Sequence, residues 1–225
     1  MKDRVIVVTG GQGVLGRAVV RTALAGGSRV AAVDYAPASA LGEAMVLGGV
    51  DLTDAAAAGK AMDDIASRLG RIDALLNIAG GFAWQTTESG DPKTWERMFA
   101  MNVKTTLTAT RAALPHLLKS SAGRVINVGA AGALKSGAGM GAYAASKAGV
   151  HRLTESLAEE LKDSGVTVNA VLPSIIDTPQ NRADMPDANP DRWVDPEDLA
   201  AVMLFLASEQ SRAITGALIP VTGRV

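Results

Sequence analysis

The stretch Arg4-Val5-Ile6-Val7-Val8-Thr9-Gly10-Gly11-Gln12-Gly13-Val14-Leu15-Gly16 decides how this chain folds. Arg4–Val8 is a short, β-branched, apolar run, which reads as a strand buried on both faces. Thr9–Gly16 is a glycine turn, and an Ala/Val-rich helix is expected from about Val14 to Ala25. Strand, glycine turn and helix in that order are the setting in which a glycine motif reads as a dinucleotide site. Glycines let the backbone approach a pyrophosphate, and the helix N-terminus offers it N–H groups and a positive dipole end. A plain Gly-rich βα turn is the weaker reading. Gly10, Gln12, Gly13, Val14 and Leu15 are the candidate contacts.

The next elements extend the same pattern. Ser28–Val33 is a second strand, and Asp34 ends it 18 residues beyond Gly16. A carboxylate there accepts bonds from an adenosine ribose and repels a 2′-phosphate. No Arg or Lys follows immediately, so NAD(H) is expected over NADP(H). A short helix is expected within Pro37–Val46. A third strand is expected over Leu47–Leu52, with Asp51 and Leu52 near the adenine edge. A helix over about Asp54–Leu69 and a fourth strand over Ile72–Asn77 follow. Asn77, Ala79 and Gly80 close that strand with small residues that let it sit against a nucleotide.

A long helical region, as one or two helices, spans about Asp91 to Lys119 and contains Asn102. Arg124–Val128 is a fifth strand, Gly129–Gly141 a Gly/Ala-rich loop, and a helix runs from about Tyr143 to Lys162. Val166–Leu172 is a sixth strand, Pro196–Ala207 a helix, and Ala217–Val221 a last strand. Pro173–Asp195 is long, irregular and proline-rich, and loops of that length often act as lids. The alternation implies right-handed crossovers and an α/β fold, a doubly wound parallel sheet of six or seven strands flanked by helices. With no repeat and no linker, residues 1–225 form one expected domain. Ligands bind beyond the carboxyl ends of such strands, where the candidates converge.

Tyr143 and Lys147 stand four residues apart, on one face of a helix. An ammonium that close favours the phenolate, and a helix N-terminus adds to the effect, so the tyrosine pKa is expected to fall from about 10. Such a group exchanges protons near neutral pH. On its own the spacing reads as an ordinary surface pair.

Composition narrows the class. The chain is 48% hydrophobic with a net charge of −1. It offers no electrostatic case for nucleic acid or an anionic membrane. Cysteine is absent, so there is no disulfide framework, thiol nucleophile or cysteine metal site. His116 and His151 have no ligand spacing and read as ordinary helix residues; no metal is expected. No signal peptide and no apolar run of about 20 residues is visible, so a cytoplasmic protein is expected.

The chain resembles the short-chain dehydrogenase/reductase family over nearly its whole length. The matching features are Thr9-Gly10 through Gly16, Asp34, Asn77-Ile78-Ala79-Gly80, Met101-Asn102-Val103, Tyr143 with Lys147, Asn169-Ala170-Val171 with Pro173, and Ile176 with Thr178. The resemblance implies a Rossmann-type fold, a nicotinamide cofactor, and hydride transfer to or from a carbonyl, alcohol or similar acceptor. It implies Tyr143 as acid/base, Lys147 on the nicotinamide ribose, and Asn102 holding a water of the proton relay. It places Pro173, Ile176 and Thr178 around the nicotinamide. Three departures stand out. Val14 replaces the middle glycine of the turn, and Ile78 the second residue of the usual N-N-A-G. Most consequentially, Ala130 occupies the place of the family's substrate-holding serine, thirteen residues before Tyr143.

The dihydropteridine reductases do without that serine, and several stretches look like theirs: Gly11–Gly16, Ala79–Ala83, Gly139–Tyr143, and Val171–Pro173 through Arg182 and Met185-Pro186. Their quinonoid substrate takes its proton on ring nitrogens. Other regions read equally like generic 3-oxoacyl-type carbonyl reductases. A non-catalytic dinucleotide-binding sensor is the alternative from another class; Ala130 motivates it, and intact Tyr143, Lys147 and Asn102 oppose it. Phe82, Trp84, Met140, Ile175, Met185 and Trp193 are candidate pocket walls for a small-molecule substrate. By resemblance the chain pairs into a homodimer or homotetramer through its two long helices, whose small-residue faces (Ala109, Ala112, Ala113, Ala144, Ala148) pack against a partner or against the sheet.

Overall fold

A computed structural model describes residues 1–225. Its centre is one seven-stranded, wholly parallel sheet in the order β3-β2-β1-β4-β5-β6-β7. The strands are β1 (Val5–Thr9), β2 (Arg29–Val33), β3 (Met45–Leu47), β4 (Ala74–Asn77), β5 (Arg124–Val128), β6 (Thr167–Pro173) and β7 (Leu218–Val221). Every residue of β1, β4, β5 and β6 is buried because both faces of the sheet are covered. Ile6 and Val8 face one core with α1 (Val14–Ala25) and α7 (Pro196–Leu206). Val7 faces the other, with α2 (Ala55–Leu69), α4 (Thr105–Leu117) and α5 (Gly141–Leu161).

The chain winds outward from β1 to β3 and then restarts on the other side at β4. The β1/β4 boundary is the topological switch point, where a crevice opens past the strand ends. The glycine turn leaves β1 there and passes into α1, whose first residue is Val14. Val14 therefore has helical backbone, and its side chain replaces a glycine without strain. Asp54 caps α2 by accepting from the Ala56 N–H at 2.8 Å.

Three expected elements differ. No helix forms within Pro37–Val46: proline opens the segment, and Gly42 has φ +57. The third strand is Met45–Leu47, ending before Gly48-Gly49, so Asp51 and Leu52 lie on the loop after it. Within the segment 173–195 lies a helix, α6 (Pro179–Asp184). Thr178 caps it, accepting from the Asn181 N–H at 3.1 Å, and Pro179 opens its first turn. The segment is held at both ends by a parallel bridge between Ile176 and Val194.

The helical region at 93–117 is interrupted rather than continuous. α3 (Lys93–Phe99) joins α4 through a π-helical turn, Ala100–Lys104, with Asn102 at its middle. A π turn widens the helix by one residue and redirects the side chains around it.

Candidate active site

The carboxyl edge of the sheet carries a cleft of about 1730 Å³. It runs from the glycine turn and Asp34 past Gly80 to Tyr143, Lys147 and the segment after β6. At one end Asp34 accepts two backbone N–H groups, from Gln12 at 2.8 Å and from Ala36 at 2.9 Å. Gln12 is itself held by Arg17, whose Nε donates to the Gln12 carbonyl at 2.8 Å and whose Nη2 donates to Gln12 Oε1 at 2.6 Å. Arg17 also reaches Ser39 on the loop after β2, at 3.1 Å. Sequence proximity to Asp34 does not reveal this cation, because it arrives from α1. Asp51 and Leu52 line the same end, Asp51 accepting from the Thr53 N–H and hydroxyl at 2.8 and 2.7 Å. Those bonds hold its carboxyl below the usual carboxylate range.

The middle of the cleft suits a pyrophosphate. Gly10, Gln12, Gly13, Val14, Leu15, Ala79 and Gly80 line it. No side chain caps α1, and no acidic residue stands in its first turn. Its leading N–H groups and positive dipole end therefore have no competing anion from the chain. A pyrophosphate fits this donor set. Asn77 does not line the cleft. Its side chain is buried within the fold, where Nδ2 donates to Thr110 Oγ1 and to Asn127 Oδ1, each at 2.9 Å. The strand-end position expected to touch a nucleotide instead links β4 to α4 and β5.

At the far end Pro173, Ile176 and Thr178 line the cleft beside Lys147 and Tyr143. Lys147 is buried, and Nζ donates to the Val128 carbonyl at 2.8 Å. Desolvation pushes its ammonium down to about 8. The Tyr143 ring meets Phe82 edge to face, with centroids 4.9 Å apart and planes at 73°. Burial pushes its phenol up to about 12. The expected fall is thus reversed: burial penalises the phenolate and outweighs the nearby ammonium.

Asn102 lies behind this pair rather than on the cleft surface. Its Oδ1 accepts from the Gly81 N–H at 2.9 Å, and Nδ2 donates to the Gly81 carbonyl at 3.1 Å and to Ser146 Oγ at 2.9 Å. Ser146 in turn donates to the Tyr143 carbonyl at 2.7 Å. The amide ties the loop after β4 to the second turn of α5.

Ala130 lines the cleft with a methyl group where the resemblance implied a hydroxyl. Beneath it is His151, buried one helical turn beyond Lys147. The Ala130 N–H donates to His151 Nε2 at 3.3 Å, so the ring is neutral, with its proton on Nδ1. Spacing alone read His151 as an ordinary helix residue; its i, i+4 relation to Lys147 was the available signal. Desolvation, then the charges of Arg152 and Lys147, hold its pKa below 6.5. The folded chain therefore binds fewer protons than the unfolded chain in the acid range. This contribution to stability is complete above about pH 6.5 and is lost as pH falls below it. His151→Gln keeps an acceptor but does not titrate, so its melting temperature is expected to fall less steeply between about pH 7 and pH 5. Equal slopes in thermal melts of the two proteins would remove His151 from the acid sensitivity.

Of the six candidate walls, Phe82, Trp84, Met140, Ile175 and Met185 line the cleft. Trp193 is buried in the fold, 8% exposed, and does not line the cleft. Ala109 and Ala113 pack in the core under the sheet, not outward.

This is a doubly wound parallel sheet with a cleft at its switch point, the setting in which such folds bind their ligands. Comparison makes the assignment specific: a family model described as short chain dehydrogenase matches residues 4–189, and the chain belongs to that family. It is 34% identical over 237 residues to the meso-2,3-butanediol dehydrogenase of Serratia marcescens, covering 98% of this chain and 94% of that protein. It is 32% identical over 225 residues to the inactive 2-(S)-hydroxypropyl-CoM dehydrogenase 2 of Xanthobacter autotrophicus, covering 91% and 98%. The ligand-free aldohexose dehydrogenase of Thermoplasma acidophilum matches with a TM-score of 0.91 at 26% identity, covering 99% of this chain and 93% of that chain. The chain is an oxidoreductase of this family, and no helix is long and apolar enough to cross a membrane.

Proposed function

We propose that this oxidoreductase is a single-domain, NAD(H)-dependent enzyme that moves a hydride between nicotinamide and a small carbonyl, alcohol or quinonoid compound. Tyr143 is its acid and base. The observation that carries this reading is the cleft itself, which joins the Asp34 carboxylate at one end to the Tyr143 phenol and Lys147 ammonium at the other. Bound nicotinamide supplies or takes up the hydride. Asp34 and Lys147 hold the two riboses, Asp51 and Leu52 the adenine, and Pro173, Ile176 and Thr178 the nicotinamide. In reduction the C=O π bond opens as its carbon gains the hydride, and the Tyr143 O–H proton passes to the oxygen, leaving a neutral alcohol. The bonds of Asn102 to Gly81 and Ser146 support a positioning role.

Burial keeps Tyr143 a neutral phenol through the neutral range, so a proton donor for carbonyl reduction is present there. Ala130 supports an acceptor that does not depend on a hydroxyl at its oxygen, as a quinonoid ring does not. No feature of the cleft favours a 3-oxoacyl substrate over other carbonyls. For assembly we infer a homodimer or homotetramer; exposed Phe99 and Leu107 on the outer face of the α3–α4 region support it.

The test is steady-state oxidation of NADH and NADPH with a panel of aldehydes, ketones and quinones. Asp34→Ala is expected to narrow the preference for NADH by about tenfold, the scale of one lost charge repulsion of about 1.4 kcal/mol. An unchanged ratio of kcat/KM would show that Asp34 does not meet the ribose.

A further inference from the structure

The chain is poor in aromatics: three Phe, three Trp and two Tyr. Two of the most exposed, Phe82 at 58% and Trp84 at 61%, stand together on the cleft beside Tyr143. Exposed rings of this kind in a concave site mark a binding surface. Trp84 is also held in place. Its Nε1 donates to the Ala138 carbonyl at 3.0 Å, and the following N–H, of Gln85, donates to the Gly139 carbonyl at 2.8 Å. Gly139 has φ +74, and a Cβ there would fall 2.1 Å from Trp84 Cε2. The indole therefore lies directly on the 138–139 backbone, where only glycine leaves it room. The N–H edge of the indole is held against the loop, and the residue is otherwise largely exposed.

The same cleft is also lined by Ala130, Ala131, Gly132, Met140, Ile175 and Met185. Besides Tyr143, Ser174 and Asp184, the polar side chains on the cleft here are Gln180 and Asn181 of α6, whose amide N–H groups are engaged within the chain. Gln180 Nε2 donates to Asp184 Oδ1 at 2.8 Å, and Asn181 Nδ2 donates to the Ile176 carbonyl at 2.7 Å. No side-chain hydroxyl from position 130 awaits an oxygen of the substrate. A flexible, hydroxyl-rich compound would lose its hydration here with few partners in return. A flat ring would gain aromatic contact on a pre-set surface, without the entropy of ordering that surface.

We infer that Trp84, assisted by Phe82, is the specificity-determining wall of this cleft and selects flat, ring-conjugated carbonyl compounds over flexible polar ones. This rests on the proposed oxidoreductase chemistry of the same site, but the wall is tested separately from the chemistry. Binding is measured with 2-naphthol, which accepts no hydride, by calorimetry on the wild-type protein, Trp84→Ala, Trp84→Phe and Phe82→Ala, with and without NADH. Turnover is compared for 1,2-naphthoquinone and 2,3-butanedione, which share a vicinal dicarbonyl and differ in the ring.

Trp84→Ala is expected to weaken 2-naphthol binding about tenfold and to lower the naphthoquinone-to-butanedione ratio of kcat/KM by a similar factor. Trp84→Phe should restore most of both, Phe82→Ala should show a smaller loss in the same direction, and NADH affinity should stay within about twofold. The inference is overturned if 2-naphthol does not bind the wild-type protein, or if either its affinity or the ratio is unmoved in Trp84→Ala. If neither dicarbonyl is reduced by the wild-type protein while 2-naphthol binds and depends on Trp84, the wall stands and the proposed chemistry fails.

Discussion

Tyr143→Phe is expected to lower turnover by about 10²–10⁴-fold, the range for losing a positioned proton donor. NADH binding should survive, because the change removes one oxygen from a ring whose packing against Phe82 is apolar. The pH dependence follows from the phenol at about 12 and from Lys147 at about 8. Below pH 8 both groups carry their protons, so carbonyl reduction has its donor and should vary little with pH on their account. Alcohol oxidation needs the phenolate, a minority species at neutral pH, and should rise about tenfold per pH unit on the way to alkali. The pH–rate profiles of both directions, in the wild-type protein and Tyr143→Phe, measure this. Reduction at the wild-type rate in the variant would assign the proton to another group.

The second large effect concerns the glycine turn. A Cβ on Gly16 would lie 2.1 Å from the Gly10 carbonyl oxygen, 2.7 Å from Gly11 Cα and 2.9 Å from the Gly10 carbonyl carbon. All three are backbone atoms, so no side chain swings away to relieve the contact. Gly16→Ala must displace the turn from the first residues of α1, at the upper end of the roughly 1–3 kcal/mol that overpacking costs. For a chain of this size that lowers the melting temperature by about 5–10 °C. The same displacement moves the helix N–H groups away from the pyrophosphate position, so NADH should raise the melting temperature less than in the wild-type protein. Gly13→Ala is the control for the unliganded melts, since its Cβ would meet only the Gly10 oxygen, at 3.4 Å. Thermal melts with and without NADH compare the three proteins. Equal behaviour of Gly16→Ala and the wild-type protein would show that the turn yields without cost.

Much of this site was legible in advance because it is encoded by local spacing. The strand–turn–helix at 5–25, the carboxylate ending β2 and the four-residue step from Tyr143 to Lys147 each need only a few neighbours to be recognised. What escaped depends on distant partners. The titration of Tyr143 is set by burial, to which Phe82 contributes from another loop, and local spacing shows only the lysine. Asn77 stands at a strand end like its cleft-lining neighbours, but Thr110 and Asn127 claim its amide. His151 acquires its role from the Ala130 N–H above it. The helix α6 is a different kind of omission: Thr178-Pro179 is a visible start signal that the surrounding prolines obscured.

The π turn at Ala100–Lys104 imposes a rule of counting on this part of the chain. Asn102 faces Gly81 and Ser146 because one extra residue is accommodated within that turn. A regular α-helix advances about 100° per residue, so an added or lost residue between α3 and α4 would swing the amide far from both partners. Exchanges on the exposed side of these helices leave that angle alone. A substitution there and a change of length therefore differ in kind: the first leaves the placement of Asn102 alone, and the second resets it.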